Sequence, residues 1–347
     1  MKGAGSPRSF RAFFKGENIM TNPFTPLAYK VMALILSLMA SWGMISTPSQ
    51  EIPIVVDENA QLSFVVWGDP QVSNVLFERE GNLKSACEDL GNTEGQLDAL
   101  VIVGDIAENG LQSEYDTVRD MLNTAGNSFN NFICLEGNHD VRNKIYSSQL
   151  KRFQSFNNSV SNAVPMKGNH YNYSYEINGY KFIVMGTDTT QFEESDISAA
   201  QLKWLDEEIA STQGTGKPVF VLNHQPLQNT HGLPGTWNAP KFLKAGSVGK
   251  QSDDIKAIFE KYNNVIFITG HLHTGIGQYS YEDYGSFKSI NVPSVCIKNA
   301  DGVDGTTQGY VFSVYGDKLV AKARVFGDGK YVDESVQNAV IEIPFNY

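Results

Sequence analysis

Short apolar runs alternate with longer amphipathic stretches along the first two-thirds of the chain beyond residue 50, the pattern of strands wrapped by helices. The runs predict strands over 62–67, 99–103, 132–135, 218–222 and 265–269. The stretches predict helices over 75–89, 113–124, 145–156, 199–211 and 253–262. In the fourth of these helices Leu202, Leu205 and Ile209 recur at helical spacing with the acids turned away, so it lies on the surface of a sheet. The texture changes at Tyr171. Aromatic and polar residues alternate over 171–177, Asn178-Gly179 carries a type I′ turn signal, and an apolar run follows over 180–185, which reads as a β-hairpin. Further strands are expected over 289–292, 310–315 and 319–325, with Gly316-Asp317 as a turn between the last two. An α/β fold of two facing sheets with helices outside fits that strand count. No linker or charge block divides residues 51–347, so a single domain is expected there.

Residues 1–50 have a different character. Arg8, Arg11, Lys15 and Lys30 precede an apolar run over 31–45, the charge-then-apolar order of a secretory signal. That run is shorter than the ~20 residues a membrane-spanning helix needs. Export with cleavage between Ser41 and Gln50 is expected; no clean small-residue site stands out there, and an uncleaved leader acting as a membrane anchor is the alternative. No cysteine follows the run, which argues against a lipid anchor. The leader's five basic residues against Glu17 carry +4, so its removal takes the formal charge from −11 to about −15. Such a surface repels polyanions and disfavours a nucleic-acid polymer as partner. The three cysteines, Cys87, Cys134 and Cys296, are too few for a disulfide framework.

The chemistry lies at the strand ends. Five predicted strands finish alike, with an apolar run, usually a glycine, and then a residue able to bind a metal: Gly68-Asp69, Gly104-Asp105, Gly137-Asn138, Asn223-His224 and Gly270-His271. Carboxyl ends of parallel strands are where sites form in open α/β sheets, so these side chains are expected to converge. A Gly-Asp pair alone is usually a turn, and a lone histidine is usually not a ligand. The combination carries the weight, because four of the six histidines (His139, His224, His271 and His273) fall at these ends or within two residues of them. His271-Leu272-His273 is expected to place two imidazoles on one side of an extended segment. Carboxylate and amide oxygens mixed with imidazole nitrogens suit a pair of divalent ions, Mn, Fe or Zn rather than Ca or Mg.

In order, Asp69-Pro70-Gln71, Gly104-Asp105, Gly137-Asn138-His139-Asp140, His224 and Gly270-His271-Leu272-His273 resemble the signature of the calcineurin-like metallophosphoesterases, over about residues 62 to 295. The resemblance implies a four-layer sandwich of two mixed β-sheets flanked by helices. It implies one metal on Asp69, Gln71, Asp105 and His273, and a second on Asp105, Asn138, His224 and His271, with a bridging hydroxide as nucleophile. It also implies that His139 stabilises the transition state and protonates the leaving oxygen, with Asp140 orienting its ring. Two departures stand out. The first motif of the family usually ends in histidine, and Gln71 is a weaker neutral donor, so the first metal binds less tightly or gives way to a harder ion. The tyrosine that colours purple acid phosphatases is absent after Asp105, which argues against a redox iron pair.

The function expected is hydrolysis of a phosphate mono- or diester of a small molecule; nucleotides, cyclic nucleotides and lipid or sugar head groups all remain open. A protein of this fold that binds without turnover, and a metal-dependent hydrolase of other esters, are the alternatives, the former favoured by Gln71 alone. The turn-rich segment 231–240 either reaches over the metals, with His231 and Trp237 touching substrate, or covers the body with its Trp packed inward. His170 has no motif around it.

Overall fold

The computed structural model describes residues 51–345 apart from 143, 167, 169 and 238–245, so the expected leader lies outside the described residues. In chain order the elements are β1 (Leu62–Trp67), α1 (Phe77–Gly91), β2 (Ala99–Val103), α2 (Gln112–Thr124), β3 (Phe132–Leu135), the short α3 (Asn138–Val141) and α4 (Tyr146–Ser159). There follow β4 (Tyr173–Ile177), β5 (Tyr180–Val184), α5 (Ala199–Ala210), β6 (Val219–Leu222), α6 (Ser252–Phe259) and β7 (Val265–Thr269). The chain closes with β8 (Tyr281–Asp283), β9 (Phe287–Asn291), β10 (Gln308–Val314), β11 (Lys318–Val325), β12 (Lys330–Tyr331) and β13 (Val340–Pro344). Strand β6 starts one residue after Pro218, which has no N–H to give a ladder.

Two mixed sheets result. The first runs β12-β11-β10-β1-β2-β3, with β13 also paired to β11; the second runs β4-β5-β6-β7-β9-β8. Strands β1, β2 and β3 are parallel to one another, as are β5, β6, β7 and β9, while β10 returns antiparallel beside β1. The hairpin of β4 and β5 turns on Asn178 and Gly179, both left-handed at φ 53° and 74°, as a type I′ turn requires.

The runs are unbroken because both faces of the central strands are buried. Val65, Trp67, Leu100 and Ile102 face outward onto Leu83, Leu90, Tyr115 and Phe153 of α1, α2 and α4. Phe64, Val66, Val101 and Val103 face inward, where Phe64 meets Phe182 and Phe220 of the second sheet edge-on at 5.4 and 5.1 Å. The outer face of the second sheet packs Val219, Val221 and Phe267 on Leu205, Ile209, Ile255 and Phe259 of α5 and α6. Helix, sheet, sheet, helix is the four-layer α/β sandwich that the resemblance implied. Each of the larger side chains contributes about 1.5–3 kcal/mol on burial.

One buried ion pair crosses the layers. Arg324 of β11, with no exposed surface, donates from Nε and Nη2 to the two carboxylate oxygens of Asp89 on α1 at 2.7 and 2.6 Å, and from Nη2 to the Ile52 carbonyl at 2.6 Å. The three cysteines are buried and free. Among the described residues no helix is long and apolar enough to cross a membrane.

Candidate metal centre

The parallel strands of both sheets end at one place. Asp69, Asp105 and Asn138 follow β1, β2 and β3 of the first sheet, and His224 and His271 follow β6 and β7 of the second. His224 Nε2 lies 3.2 Å from Asp105 Oδ2, 3.8 Å from Asp69 Oδ2 and 3.1 Å from His271 Nδ1, and His273 Nε2 lies 3.0 Å from Asp69 Oδ2. Asp105, His224 and His271 each offer a ligand atom within 4.8 Å of the others and are all buried. Gln71 joins through its side-chain nitrogen, 2.9 Å from His139 Nε2, and its own N–H donates to the Asp105 carbonyl at 2.7 Å. A cavity of about 310 Å³ opens on this cluster, lined by Asp105, His139, Glu193, Trp237, His271 and Lys298 among others.

The backbone is bent to bring these groups together. Asp69, Gln71, Asp105, His271 and His273 all sit at positive φ, 42°, 42°, 47°, 74° and 51°. Left-handed backbone at a residue with a side chain costs on the order of 1–3 kcal/mol and concentrates at functional sites. The two histidines of His271-Leu272-His273 therefore converge through a turn, closed by Leu272 N–H to the Gly270 carbonyl at 2.9 Å, and not along an extended segment as the sequence suggested. The glycines before the ligands make room for one another's motifs. A Cβ on Gly104 would stand 2.4 Å from His224 Nδ1, and one on Gly137 would stand 2.1 Å from Asp105 Oδ1.

Three buried polar atoms in the cluster find no hydrogen-bond partner among the described residues: Gln71 Oε1, Asn138 Oδ1 and His271 Nε2. The other end of each amide is held, Gln71 Nε2 donating to Glu108 Oε2 at 2.9 Å and Asn138 Nδ2 to Glu193 Oε2 at 2.8 Å. His224 is held likewise, with Nδ1 2.8 Å from the Val103 carbonyl, which turns Nε2 toward the carboxylates. Leaving such atoms unpaired costs about 1–3 kcal/mol each. A bound cation would answer such atoms, and a set of carboxylate, amide and imidazole donors without thiolate suits divalent metal ions.

The charges point the same way. Burial pulls the pKa of His224 down, but Asp105 and Asp69 more than reverse this and raise it to about 10, so the space between them demands a positive charge. Burial raises the Asp105 carboxyl, and His224 and His139 outweigh it and hold it below the usual carboxylate range. His271, buried against His224, is held well below the usual imidazole value and keeps a lone pair to offer.

His139 and Asp140 take different places. The His139 ring borders the cavity with Nδ1 2.9 Å from the Glu108 carbonyl and 2.8 Å from Arg142 Nη2. Despite burial its pKa is raised, by Asp105 and Glu108. Asp140 does not touch that ring: its carboxylate accepts the N–H groups of Ile106, Ala107 and Gly137 at 3.0, 3.0 and 2.9 Å and the Tyr115 hydroxyl at 3.0 Å. It ties the loop after β2 to the loop after β3, because three converging backbone donors outcompete a ring turned the other way. Burial and Asp105 raise its pKa to about 7 against those donors. The carboxylate beside the ring is Glu108, which the sequence reading did not single out, nor Glu193 and Arg142.

Of the turn-rich segment, His231 is fully buried, its Nδ1 and Nε2 each 2.7 Å from the Tyr279 carbonyl and Ser289 Oγ, and is a structural residue. Trp237 reaches the cluster but stacks on the His271 ring at 4.5 Å, and a Cβ on Gly246 would lie 2.5 Å from the indole, so the ring is sandwiched and braces the histidine. His170 is 3.8 Å from Asp188 and mostly exposed.

The family model described as calcineurin-like phosphoesterase matches residues 62–275, more than half of the chain. Over 280 residues the chain is 24% identical to the cAMP/cGMP dual specificity phosphodiesterase of Mycobacterium tuberculosis (strain CDC 1551 / Oshkosh), a match covering 77% of this chain and 78% of that protein. It is 24% identical over 183 residues to a 3′,5′-cyclic-nucleotide phosphodiesterase of Nostoc sp. (strain PCC 7120 / SAG 25.82 / UTEX 2576), covering 51% and 56%. Among solved structures, a dimetal phosphatase from Danio rerio superposes with a TM-score of 0.59 at 13% identity, over 83% of this chain and 100% of that one. A purple acid phosphatase from yellow lupin gives 0.55 at 15% identity, over 78% and 52%. At such identities the structural likeness is one of fold.

Proposed function

The chain belongs to the calcineurin-like phosphoesterase family and is a phosphoric ester hydrolase; from that premise we propose that it cleaves small phosphodiesters, cyclic nucleotides foremost, at a pair of divalent ions. The observation that carries this reading is the trio of buried, unpartnered donors, Gln71 Oε1, Asn138 Oδ1 and His271 Nε2, gathered with Asp69, Asp105 and His224. One ion is assigned to Asp69, Gln71, Asp105 and His273, the other to Asp105, Asn138, His224 and His271, with Asp105 shared. When bound, the ions supply Lewis acidity, making water a nucleophile near neutral pH and offsetting charge on the phosphoryl oxygens. The neutral oxygen of Gln71, where the family usually has an imidazole, favours a hard ion such as Mn²⁺ at the first position.

The chain's own groups do the rest. His139 borders the cavity with Nδ1 held by the Glu108 carbonyl and its pKa raised, which suits the ring to give a proton to the leaving oxygen. Trp237 and Leu272 line the cavity, and so does Lys298, which is paired with Asp304 at 2.9 Å. A cavity of about 310 Å³ suits a nucleotide-sized ester. The preference for cyclic nucleotides is drawn from the names of the M. tuberculosis and Nostoc relatives. Export is part of the same reading and rests on the charge-then-apolar order of residues 1–50.

The test is metal analysis of the purified protein with assays on bis-p-nitrophenyl phosphate, p-nitrophenyl phosphate and 3′,5′-cyclic AMP, with and without Mn²⁺. Two ions per chain and Mn²⁺-stimulated turnover of the diesters are expected. Ions bound without turnover of any of the three would move the conclusion to a binding protein, the reading that Gln71 favours. No ion bound would sink the metal centre.

A further inference from the structure

An amide differs from the other donors of this centre in one respect: it carries an oxygen on one side and a hydrogen-bearing nitrogen on the other, and it meets a cation productively only when something holds it oxygen-first. Both amides here have such a holder. A carboxylate only accepts hydrogen bonds, so Glu108 Oε2, 2.9 Å from the Gln71 amide, and Glu193 Oε2, 2.8 Å from the Asn138 amide, each select the nitrogen and turn the oxygen inward. Those oxygens are two of the three buried atoms of the cluster left without partners among the described residues.

The two carboxylates are themselves held. Arg142 stands between them, with Nη1 3.3 Å from Glu193 Oε1 and Nη2 3.8 Å from Glu108 Oε1, its guanidinium over the Phe192 ring at 5.3 Å. Arg79 donates to Glu108 Oε2 from the other side and to the Gln71 carbonyl at 2.9 Å. Gln71, Glu108, Arg142, Glu193 and Asn138 form one arch of alternating charge and amide.

We propose that Glu108 and Glu193 are positioning residues that each hold one amide oxygen-first, so that Glu108 sets the affinity of the ion bound by Gln71 and Glu193 that of the ion bound by Asn138. Residues that orient ligands from behind typically change metal affinity by about 10–100-fold when lost. Gln71 makes the arrangement necessary at the first position. An imidazole offers a lone pair by its choice of tautomer, whereas an amide that turns over presents N–H to the cation. The inference rests on the two-ion reading above, and its test keeps the two apart.

The experiment is calorimetric titration of Mn²⁺ into chelator-stripped protein, with thermal unfolding as a check of fold. The variants are Glu108→Met and Glu193→Met, which keep the shape without the acceptor, with alanine in their place if methionine does not fold. Wild type should bind two ions. Each variant should weaken one of them by about 10–100-fold and leave the other within about threefold, with Glu108→Gln and Glu193→Gln, which keep a carbonyl acceptor, recovering most of the loss. Gln71→His in the Glu108→Met background should also restore the first ion. Folded variants that bind both ions as wild type does, or that weaken both equally, would overturn the assignment of one carboxylate to each ion. A wild type that binds no Mn²⁺ would instead overturn the two-ion reading itself.

Discussion

Gly137→Ala isolates the packing on which the cluster depends. Gly137 sits at φ −116° and ψ −177°, a conformation alanine adopts freely, so the only objection to a methyl group is room. The new Cβ would lie 2.1 Å from Asp105 Oδ1 and 2.4 Å from the Asp105 nitrogen, where ordinary contact begins at 3.4 Å. One partner must therefore move by about 1.3 Å. Neither is free to do so cheaply, since Asp105 is 1% exposed, left-handed at φ 47°, and bonded through Oδ1 to the His139 N–H at 2.8 Å. Overpacking of this kind costs about 1–3 kcal/mol of stability. Displacing a catalytic group by about 1 Å costs on the order of 10²-fold in rate. Thermal unfolding and Mn²⁺-saturated turnover of bis-p-nitrophenyl phosphate measure the two effects on one preparation. A variant as stable as wild type, with turnover within about threefold of it, would refute the reasoning, because Asp105 would then not be fixed against that backbone.

His139→Ala should lower turnover by about 10²–10⁴-fold with Mn²⁺ content unchanged, and a variant stripped of metal would make His139 a ligand instead. His231 is held by burial below its ordinary value of 6.5, with Glu282 opposing only in part. The unfolded chain then binds the extra proton, so the stability His231 contributes is complete above about pH 6.5 and is lost as pH falls. Urea unfolding from pH 8 to pH 5 should show that loss, and His231→Gln should flatten it; an unaltered slope in the variant counts against the assignment. Arg324→Ala strands a buried carboxylate on Asp89 and should cost about 3–5 kcal/mol in urea unfolding, while a loss below about 1 kcal/mol would mean that the pair is not buried as described.

Strands β1, β2, β3 and β7 coincide with their expected limits to the residue because their runs are buried on both faces, preceded by a polar residue and followed by glycine or, after β3, by Glu136. Strands β8 and β12, of three and two residues, carry no run long enough to read and exist only through their neighbours. Strand β13 does alternate, Ile341 and Ile343 buried between exposed neighbours, and that signal was present but short. Sheet order was not legible at all, since pairing β10 with β1 is a long-range fact. In the site, residues that follow a strand announce themselves by position, whereas Glu193 and Arg142 act through other side chains and have no spacing to betray them. Glu108 is intermediate: an acid three residues beyond Asp105 in one loop invites the thought that it faces the same cluster.

The pairing of β10 with β1 also sets a timetable. Leu62 aligns with Val314, about 250 residues apart, so during synthesis β1 keeps an open edge until almost the whole chain has emerged. Asp69 waits with it, because its backbone is clamped by Ser294 Oγ to the Asp69 carbonyl at 2.8 Å and by Val295 N–H to the Gly68 carbonyl at 2.7 Å. In chain order the acidic loops at Asp69 and Asp105 precede the imidazoles at His224, His271 and His273. Until β10 pairs with it, the open edge of β1 is on offer to other chains, so β10 protects a strand that precedes it by about 250 residues.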